Sequence, residues 1–217
     1  MKTRATTPRS REGFTLVELL ITVVMLGTFL GSLCLVVMQG THTARDGMVR
    51  QTIEALARRT VDRMARELGS AGAGTLDPNP VMPWGSDALT FQGISGYAAG
   101  AVQWGTPASF ALELEEGELD NDADDDGDGL VDERQLVYTR DPDGAAERSV
   151  WAHGVCEYLE GETANGLDDN GNVLRDEAGL SFVHSGGTLI LRLSLEGRDL
   201  RGRTEVRTVE TTVRLRN

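Results

Sequence analysis

The segment from Phe14 to Met38 constrains the fold of this chain more than any other part of the sequence. Its 25 residues include one charged side chain, Glu18, and are otherwise largely apolar. As a helix they would extend about 37 Å, which exceeds the roughly 30 Å hydrocarbon core of a bilayer. The sequence therefore predicts a membrane-spanning helix over residues 14–38, and a globular part has to fold from the residues that follow.

Residues 1–13 are polar and carry four basic side chains against one acid, Glu12. Basic residues favour the cytoplasmic side of a span, so residues 1–13 are predicted to be a cytoplasmic leader peptide. The remainder would lie outside the inner (cytoplasmic) membrane. A secretory signal ends its apolar region at a small-residue cleavage site, whereas here the charged leader ends in Gly13 and the apolar stretch follows directly.

The run from Gly13 to Leu20, GFTLVELL, resembles the cleavage and methylation motif of type IV prepilins. The resemblance implies that a prepilin peptidase cuts after Gly13 and methylates Phe14. It also implies that Glu18 neutralises the N-terminal amine of a neighbouring subunit during filament assembly. A carboxylate and an ammonium that are each costly alone in an apolar environment are tolerated as a pair. The alternative for Glu18 is a side chain that reaches the membrane surface near the helix start.

Residues 39–72 continue with a helical pattern, because apolar residues recur every three or four positions and the charged residues mostly lie off that line. The pattern stops at Gly69, and prolines follow. The sequence therefore predicts an amphipathic stem helix that lies on a sheet. Its predicted apolar line consists of Val49, Ile53, Leu56, Thr60, Met64 and Leu68.

Residues 73–217 contain short strand-like runs, of which Leu189–Leu195 alternates most clearly because every second residue is Leu. The predicted fold class is α+β, with a long N-terminal helix, transmembrane and then amphipathic, packed on an antiparallel β-sheet head. This pilin-like layout is similar to the PilW-like minor pilins and the GspJ-like pseudopilins of type II secretion. The predicted strands are 88–92, 109–115, 135–139, 155–159, 180–184, 188–195 and 205–215.

Two acidic segments of the head, residues 118–133 and 162–177, align without gaps at an offset of 44 and form an internal repeat. The first copy, ELDNDADDDGDGLVDE, matches the calcium-loop pattern D-x-[DN]-x-[DN]-G-x5-E. Alternate residues of such a tight loop turn their oxygens toward one centre, where the carboxylates repel one another unless a cation binds. All-oxygen ligands favour Ca²⁺. The predicted ligands are Asp122, Asp124, Asp126, Asp128 and Glu133.

The second copy has Gly166 where the first has Asp122 and is a weaker match to the same pattern. The alternative for both copies is a solvated acidic run that binds no metal. Zinc is not indicated, because neither copy contains cysteine or histidine. The predicted ligands of the second copy are Asp168, Asn170, Asn172 and Glu177.

The charge and the motifs limit the function classes. A net charge of −13 argues against a nucleic-acid partner. The three histidines have no nucleophile or acidic partner at a recognisable spacing, so no enzymatic activity is expected. We expect a minor pilin or pseudopilin subunit whose partners are a prepilin peptidase, other such subunits and the inner membrane, and whose filament lies in the periplasm or at the cell surface. The alternatives are a filament-displayed, calcium-dependent adhesin and, least favoured, a membrane-anchored enzyme.

Overall fold

The computed structural model describes residues 15–82, 84–199 and 201–216. Helix α1 comprises Leu16–Leu68, so the predicted helix ends where its periodic pattern ends. The chain divides into two compact units, Met1–Arg45 and Asp46–Asn217.

In the first unit, α1 is long and apolar enough over Leu16–Gly40 to cross a membrane, with a mean hydropathy of 2.5. The backbone N–H of Glu18 donates to Thr15 Oγ1 at 3.3 Å, which satisfies one donor of the first turn. Further along, the hydroxyls of Thr28 and Ser32 donate to carbonyl oxygens three residues earlier. These internal bonds satisfy the polar side chains within a helix whose other residues are mostly apolar.

The second unit contains an antiparallel sheet whose neighbours are β1-β2-β3-β4-β6-β5, with β7 also paired to β6. Strands β4 and β6 meet through the pair Val155 and Leu195, which joins the β1–β4 section to the β5–β7 section. The predicted α+β fold with an antiparallel sheet is confirmed. The strands are β1 Leu89–Ala98, β2 Ala101–Leu114, β3 Arg134–Arg140, β4 Glu147–Val155, β5 Leu180–Ser185, β6 Thr188–Arg198 and β7 Thr204–Arg214.

One predicted strand, 155–159, is wrong, because β4 occupies Glu147–Val155 and the chain then leaves the sheet. The apolar residues of β4 do not alternate regularly with polar ones, and its pairing with β3 holds it in the sheet. Near its end, Gly154 has a φ of 63°, and an added Cβ there would lie 2.8 Å from the Glu196 carbonyl oxygen. A glycine is required at this close approach, and it interrupts the alternation that sequence patterns detect.

The core of the second unit lies between the later turns of α1 and the sheet. The buried face of α1 consists of Ile53, Ala57, Thr60, Val61, Met64 and Leu68. Leu56 of the predicted apolar line is 40% exposed, so its assignment to the core is wrong. Ala57 is fully buried instead, because a small residue lets the helix lie close to the sheet.

Phe110 on β2 lies at the centre of this core and is fully buried. Its ring centroid lies 5.2 Å from those of Tyr138 and Trp151 and 5.6 Å from that of Phe91. These contacts connect β1, β2, β3 and β4 through side chains on one face of the sheet. Aromatic clusters of this kind bury large apolar areas and contribute specific ring contacts in addition.

Candidate functional site

The N-terminal site residues divide between described and undescribed parts of the chain. Gly13 and Phe14 lie outside the described residues. Glu18 lies in the first turn of α1, and its neighbours on the helix surface are apolar and exposed, with Val17 at 64% and Leu19 at 59%. The carboxylate therefore belongs to a helix surface that has no other acidic or basic side chain from Leu16 to Gly40.

The first acidic loop, residues 118–133, connects β2 to β3 and is held by the carboxylate of Glu118. Glu118 Oε1 accepts hydrogen bonds from the backbone N–H groups of Asp125 at 3.1 Å and Asp126 at 3.0 Å, and its Oε2 accepts from Asp132 N–H at 3.2 Å. Its side chain is buried, at 5% exposure. Sequence reasoning missed this residue, although its presence in both copies of the repeat was a usable signal.

The carboxylate of Asp132 closes the base of the same loop. It accepts hydrogen bonds from the N–H groups of Asn121 at 3.0 Å and Asp122 at 2.7 Å. At the opposite end, Asp124 Oδ1 accepts from Gly127 N–H at 2.6 Å. Gly127 has a φ of 84°, which is the sharp bend that the calcium-loop pattern requires of its glycine.

Two groups of acidic side chains in this loop place their oxygen atoms within 4.8 Å of one another. One group is Asp124, Asp126 and Asp128, and the other is Glu118, Asp126 and Glu133. Asp126 belongs to both groups, so four of the predicted ligands lie around one region. The fifth predicted ligand, Asp122, is in neither group.

Glu133 is the most deeply buried of these side chains. It is 1% exposed, and its Oε2 atom is buried without a hydrogen-bond partner among the described residues. Burial raises the pKa of Glu133 to about 7, with a backbone hydrogen bond opposing the shift and the nearby carboxylates, Asp128 first, adding to it. Within the part of the chain that the structure describes, no protein donor satisfies this acceptor oxygen.

A further carboxylate reaches this loop from the sheet. Burial, followed by the charges of Glu133 and Asp128, raises the pKa of Glu196 on β6 to about 7. Arg198, two residues along the strand, donates to the backbone carbonyl oxygen of Asp128 at 3.4 Å. Sequence reasoning did not detect Glu196, because strand β6 is distant in the chain and carries no calcium-loop pattern.

The second acidic loop, residues 162–177, connects β4 to β5 and repeats the hydrogen-bond scaffold of the first. Glu162 Oε1 accepts from Asn170 N–H at 3.0 Å, and its Oε2 accepts from Asp176 N–H at 3.2 Å. Asp176 Oδ1 accepts from Asn165 N–H at 2.9 Å, as Asp132 does from Asn121. The internal sequence repeat is therefore a structural repeat as well.

The two loops differ in the surroundings of their last residue, which is Glu133 in the first loop and Glu177 in the second. Glu177, whose side chain is fully buried, accepts from Arg192 Nη1 at 2.9 Å, whereas Glu133 Oε2 accepts no hydrogen bond in the described structure. The second loop also has Asn170 and Asn172 where the first has acids. Its four predicted ligands are Asp168, Asn170, Asn172 and Glu177. Two of these four are acids, whereas all five predicted ligands of the first loop are acids.

Val173 occupies the position that Gly129 has in the first loop, and its φ of 78° lies in the left-handed region. A β-branched residue is strained there, and its side chain is 61% exposed, so little packing compensates. We expect Val173→Gly to raise the free energy of unfolding by about 0.5–1 kcal/mol, after allowing for the larger entropy of glycine in the unfolded chain. Urea denaturation of the full-length chain in detergent measures this. Unchanged or lower stability would show that the valine backbone is not strained.

The comparison with known families concerns the N-terminal segment. An apolar helix long enough to span a membrane, followed in the chain by an antiparallel sheet, fits a membrane-anchored class of protein. Residues 8–33 match the family model of the prokaryotic N-terminal methylation motif, which includes Gly13, Phe14 and Glu18. The matched motif and the apolar helix fit a type IV prepilin-like protein, as the sequence predicts. No curated protein and no solved structure matches the chain.

The motif supports a pilin or pseudopilin subunit. It implies processing by a prepilin peptidase and assembly with other pilins, and together with the apolar helix it fits membrane anchoring.

Proposed function

We propose that this protein is a minor subunit of a type IV pilus-like filament, either a pilus or a type II secretion pseudopilus. The observation that carries the proposal is the methylation motif at residues 8–33, which runs directly into a helix with exposed apolar side chains. In the membrane these side chains contact lipid. In a filament they would pack against the corresponding helices of other subunits.

Cleavage after Gly13 would make Phe14 the N-terminal residue, with its amine four residues before Glu18. Neither the amine nor the carboxylate is stable alone inside an apolar filament core. The Glu18 carboxylate of one subunit would pair with the amine of a neighbour and thereby select the correct position during assembly. The role is structural, so the proposal includes no catalytic step.

The proposal predicts that Glu18→Ala is cleaved normally but enters filaments at less than about one tenth of the wild-type level, because the neighbour's amine then lacks a partner. Thr22→Ala is the matched control. The Thr22 hydroxyl lies one turn later on α1 and donates, among the described residues, to the carbonyl oxygens of Glu18 and Leu19, so the Thr22→Ala variant should assemble normally. Immunoblots of whole cells and of sheared filaments measure the two steps. Normal incorporation of Glu18→Ala would refute the assembly role.

Deletion of the gene separates the filament role from the adhesive alternative. Loss of filaments or of secretion marks an assembly subunit. Normal filaments that no longer attach to a surface would mark a displayed binding module and would contradict the proposed role.

We further propose that the first acidic loop binds one Ca²⁺ ion through Asp124, Asp126, Asp128 and Glu133. Three lines support this. The oxygens of Asp124, Asp126 and Asp128 lie within 4.8 Å of one another, and Asp126 forms a second such group with Glu118 and Glu133. Glu133 Oε2 has no donor among the described residues, and the chain bends sharply at Gly127. Oxygen ligands in an irregular, flexible arrangement suit calcium better than magnesium, which demands octahedral geometry. The ion would hold the loop between β2 and β3 folded once the protein is outside the cytoplasm.

Titration calorimetry on the full-length chain in detergent tests the calcium site. We expect wild type to bind calcium and the double variant Asp124→Ala, Asp126→Ala to lose one ion per chain. Asp120→Ala is the control, because this acid lies in the same loop, is exposed and belongs to neither oxygen group. An absence of heat in wild type up to millimolar calcium would make the segment a solvated acidic loop.

A further inference from the structure

Strand β6 carries charged side chains next to both acidic loops. Arg192 and Glu196 are four residues apart on a strand that pairs with β7 without a register shift, so their side chains point to the same face. Burial first, and then the charges of Glu133 and Asp128 in the first loop, raise the pKa of Glu196, whereas Arg192 forms an ion pair with Glu177 of the second loop. The corresponding glutamates of the two loops therefore differ, because Glu177 accepts a hydrogen bond from Arg192 and Glu133 Oε2 accepts none from the described residues.

The guanidinium of Arg192 lies next to the second-loop residues that correspond in sequence to the proposed calcium ligands of the first loop. Arg192, Asn170 and Asn172 line one cavity. Arg192 Nη1 donates to Glu177 Oε1 at 2.9 Å, and Asn172 Nδ2 donates to the other carboxylate oxygen of Glu177. In the first loop, the positions of Asn170 and Asn172 are occupied by Asp126 and Asp128.

Asp168, the first of the second loop's predicted ligands, also accepts hydrogen bonds from within its own loop. Asp168 Oδ1 accepts from the N–H groups of Gly171 at 2.7 Å and Asn172 at 3.0 Å, and its Oδ2 accepts from Val173 N–H at 2.8 Å. The described structure shows no counterpart in this loop to the donor-free Oε2 of Glu133, because both carboxylate oxygens of Glu177 accept hydrogen bonds.

We propose that Arg192 is the built-in cation of the second loop and replaces the calcium ion that the first loop binds. The two copies of one scaffold then differ in function. The first responds to calcium, and the second stays folded without it because a guanidinium supplies the positive charge. The chain binds one calcium ion, not two. This last statement rests on the calcium site proposed above, whereas the role of Arg192 does not depend on it.

Hydrogen–deuterium exchange of the full-length chain in detergent, with calcium or with EGTA, tests both parts. In wild type we expect calcium to slow exchange in residues 118–133 by about tenfold or more and to leave residues 162–177 unchanged. Calcium-dependent protection of the second loop, or two ions per chain by calorimetry, would overturn the inference. If neither loop responds, the calcium site of the first loop is refuted, and the Arg192 variants below still decide the role of Arg192.

Substitution of Arg192 provides the direct test. In EGTA, Arg192→Gln should accelerate exchange of residues 162–177 by about tenfold, because the buried Glu177 carboxylate loses its charged partner. Arg192→Lys keeps the positive charge and should retain most of the protection. Arg148→Gln, which removes the exposed pair with Glu113, is the matched control. Unchanged exchange in Arg192→Gln would refute the role, as would an equal loss in Arg192→Lys.

The exchange rates of peptides from β1 to β3 show whether the rest of the sheet remains folded in each variant. If Arg192→Gln unfolds these strands too, Arg192→Lys and the wild-type stoichiometry decide the question.

Discussion

Saturating calcium is expected to raise the free energy of unfolding of the full-length chain by about 3–4 kcal/mol, at concentrations about 100 to 1,000 times the dissociation constant. The physical reason lies in the first acidic loop. Folding brings Asp124, Asp126 and Asp128 together and buries Glu133, and these charges oppose folding until a cation neutralises them. The unfolded chain keeps them apart and binds calcium weakly.

Glu133→Gln should be more stable than wild type without calcium and less stable than wild type with calcium. In EDTA the variant should be more stable than wild type by about 1–2 kcal/mol, because it removes a carboxylate whose raised pKa marks its charged form as unfavourable in the fold. In calcium it should be less stable than wild type, because a ligand is lost. Urea denaturation in each condition measures both differences.

The equivalent change in the second loop, Glu177→Gln, is the matched control. It leaves Arg192 without its buried partner, so it should destabilise the chain in both EDTA and calcium. If Glu133→Gln behaves in the same way as Glu177→Gln, Glu133 is not a calcium ligand. If calcium changes the stability of neither wild type nor variants, the first loop does not bind the ion.

Phe110→Ala is expected to lower the free energy of unfolding by about 3–5 kcal/mol, because it removes a fully buried ring and leaves a cavity. The ring contacts Phe91, Tyr138 and Trp151, so the cavity would lie where four strands meet under α1. Close-packed neighbours can fill such a space only in part. A change of this size is a large fraction of the stability of an ordinary domain.

Tyr97→Ala is the control for this prediction, because Tyr97 is also an aromatic residue of the β1–β2 hairpin but is 72% exposed. It should change stability by less than about 0.5 kcal/mol. Urea denaturation followed by tryptophan fluorescence measures both variants, since Trp151 contacts the Phe110 ring. A loss below about 1 kcal/mol in Phe110→Ala would mean that the ring does not hold the core together.

Much of the fold could be predicted from the sequence, because its signals are local. The apolar run after Gly13 predicts the first part of α1, and the three- and four-residue spacing predicts its end at Leu68. The alternating leucines of β6 predict a strand with one buried face. Strand β4 was missed because its residues are mostly polar or small, and it belongs to the sheet through its pairing with β3.

The candidate site was predictable in part for the same reason. The spacing of Asp124, Asp126 and Asp128 within one loop brings their oxygens together. Glu196 and Arg192 could not be found in this way, because they reach the loops from a strand that is distant in the sequence. Only the packing of the loops against β6 reveals which acid faces another acid and which faces an arginine.

The sequence by itself determined the membrane-spanning helix, the prepilin motif and the two acidic repeats, since each depends on residues within one short segment. The tertiary structure alone decided that Ala57 and not Leu56 is buried on the stem, where β4 lies and which side chains face the last glutamate of each repeat. The physical reason is that burial and charge pairing depend on contacts between distant segments. Both Glu133 and Glu177 close the same scaffold, but one oxygen of Glu133 accepts no hydrogen bond in the described structure, and Glu177 accepts a bond from Arg192.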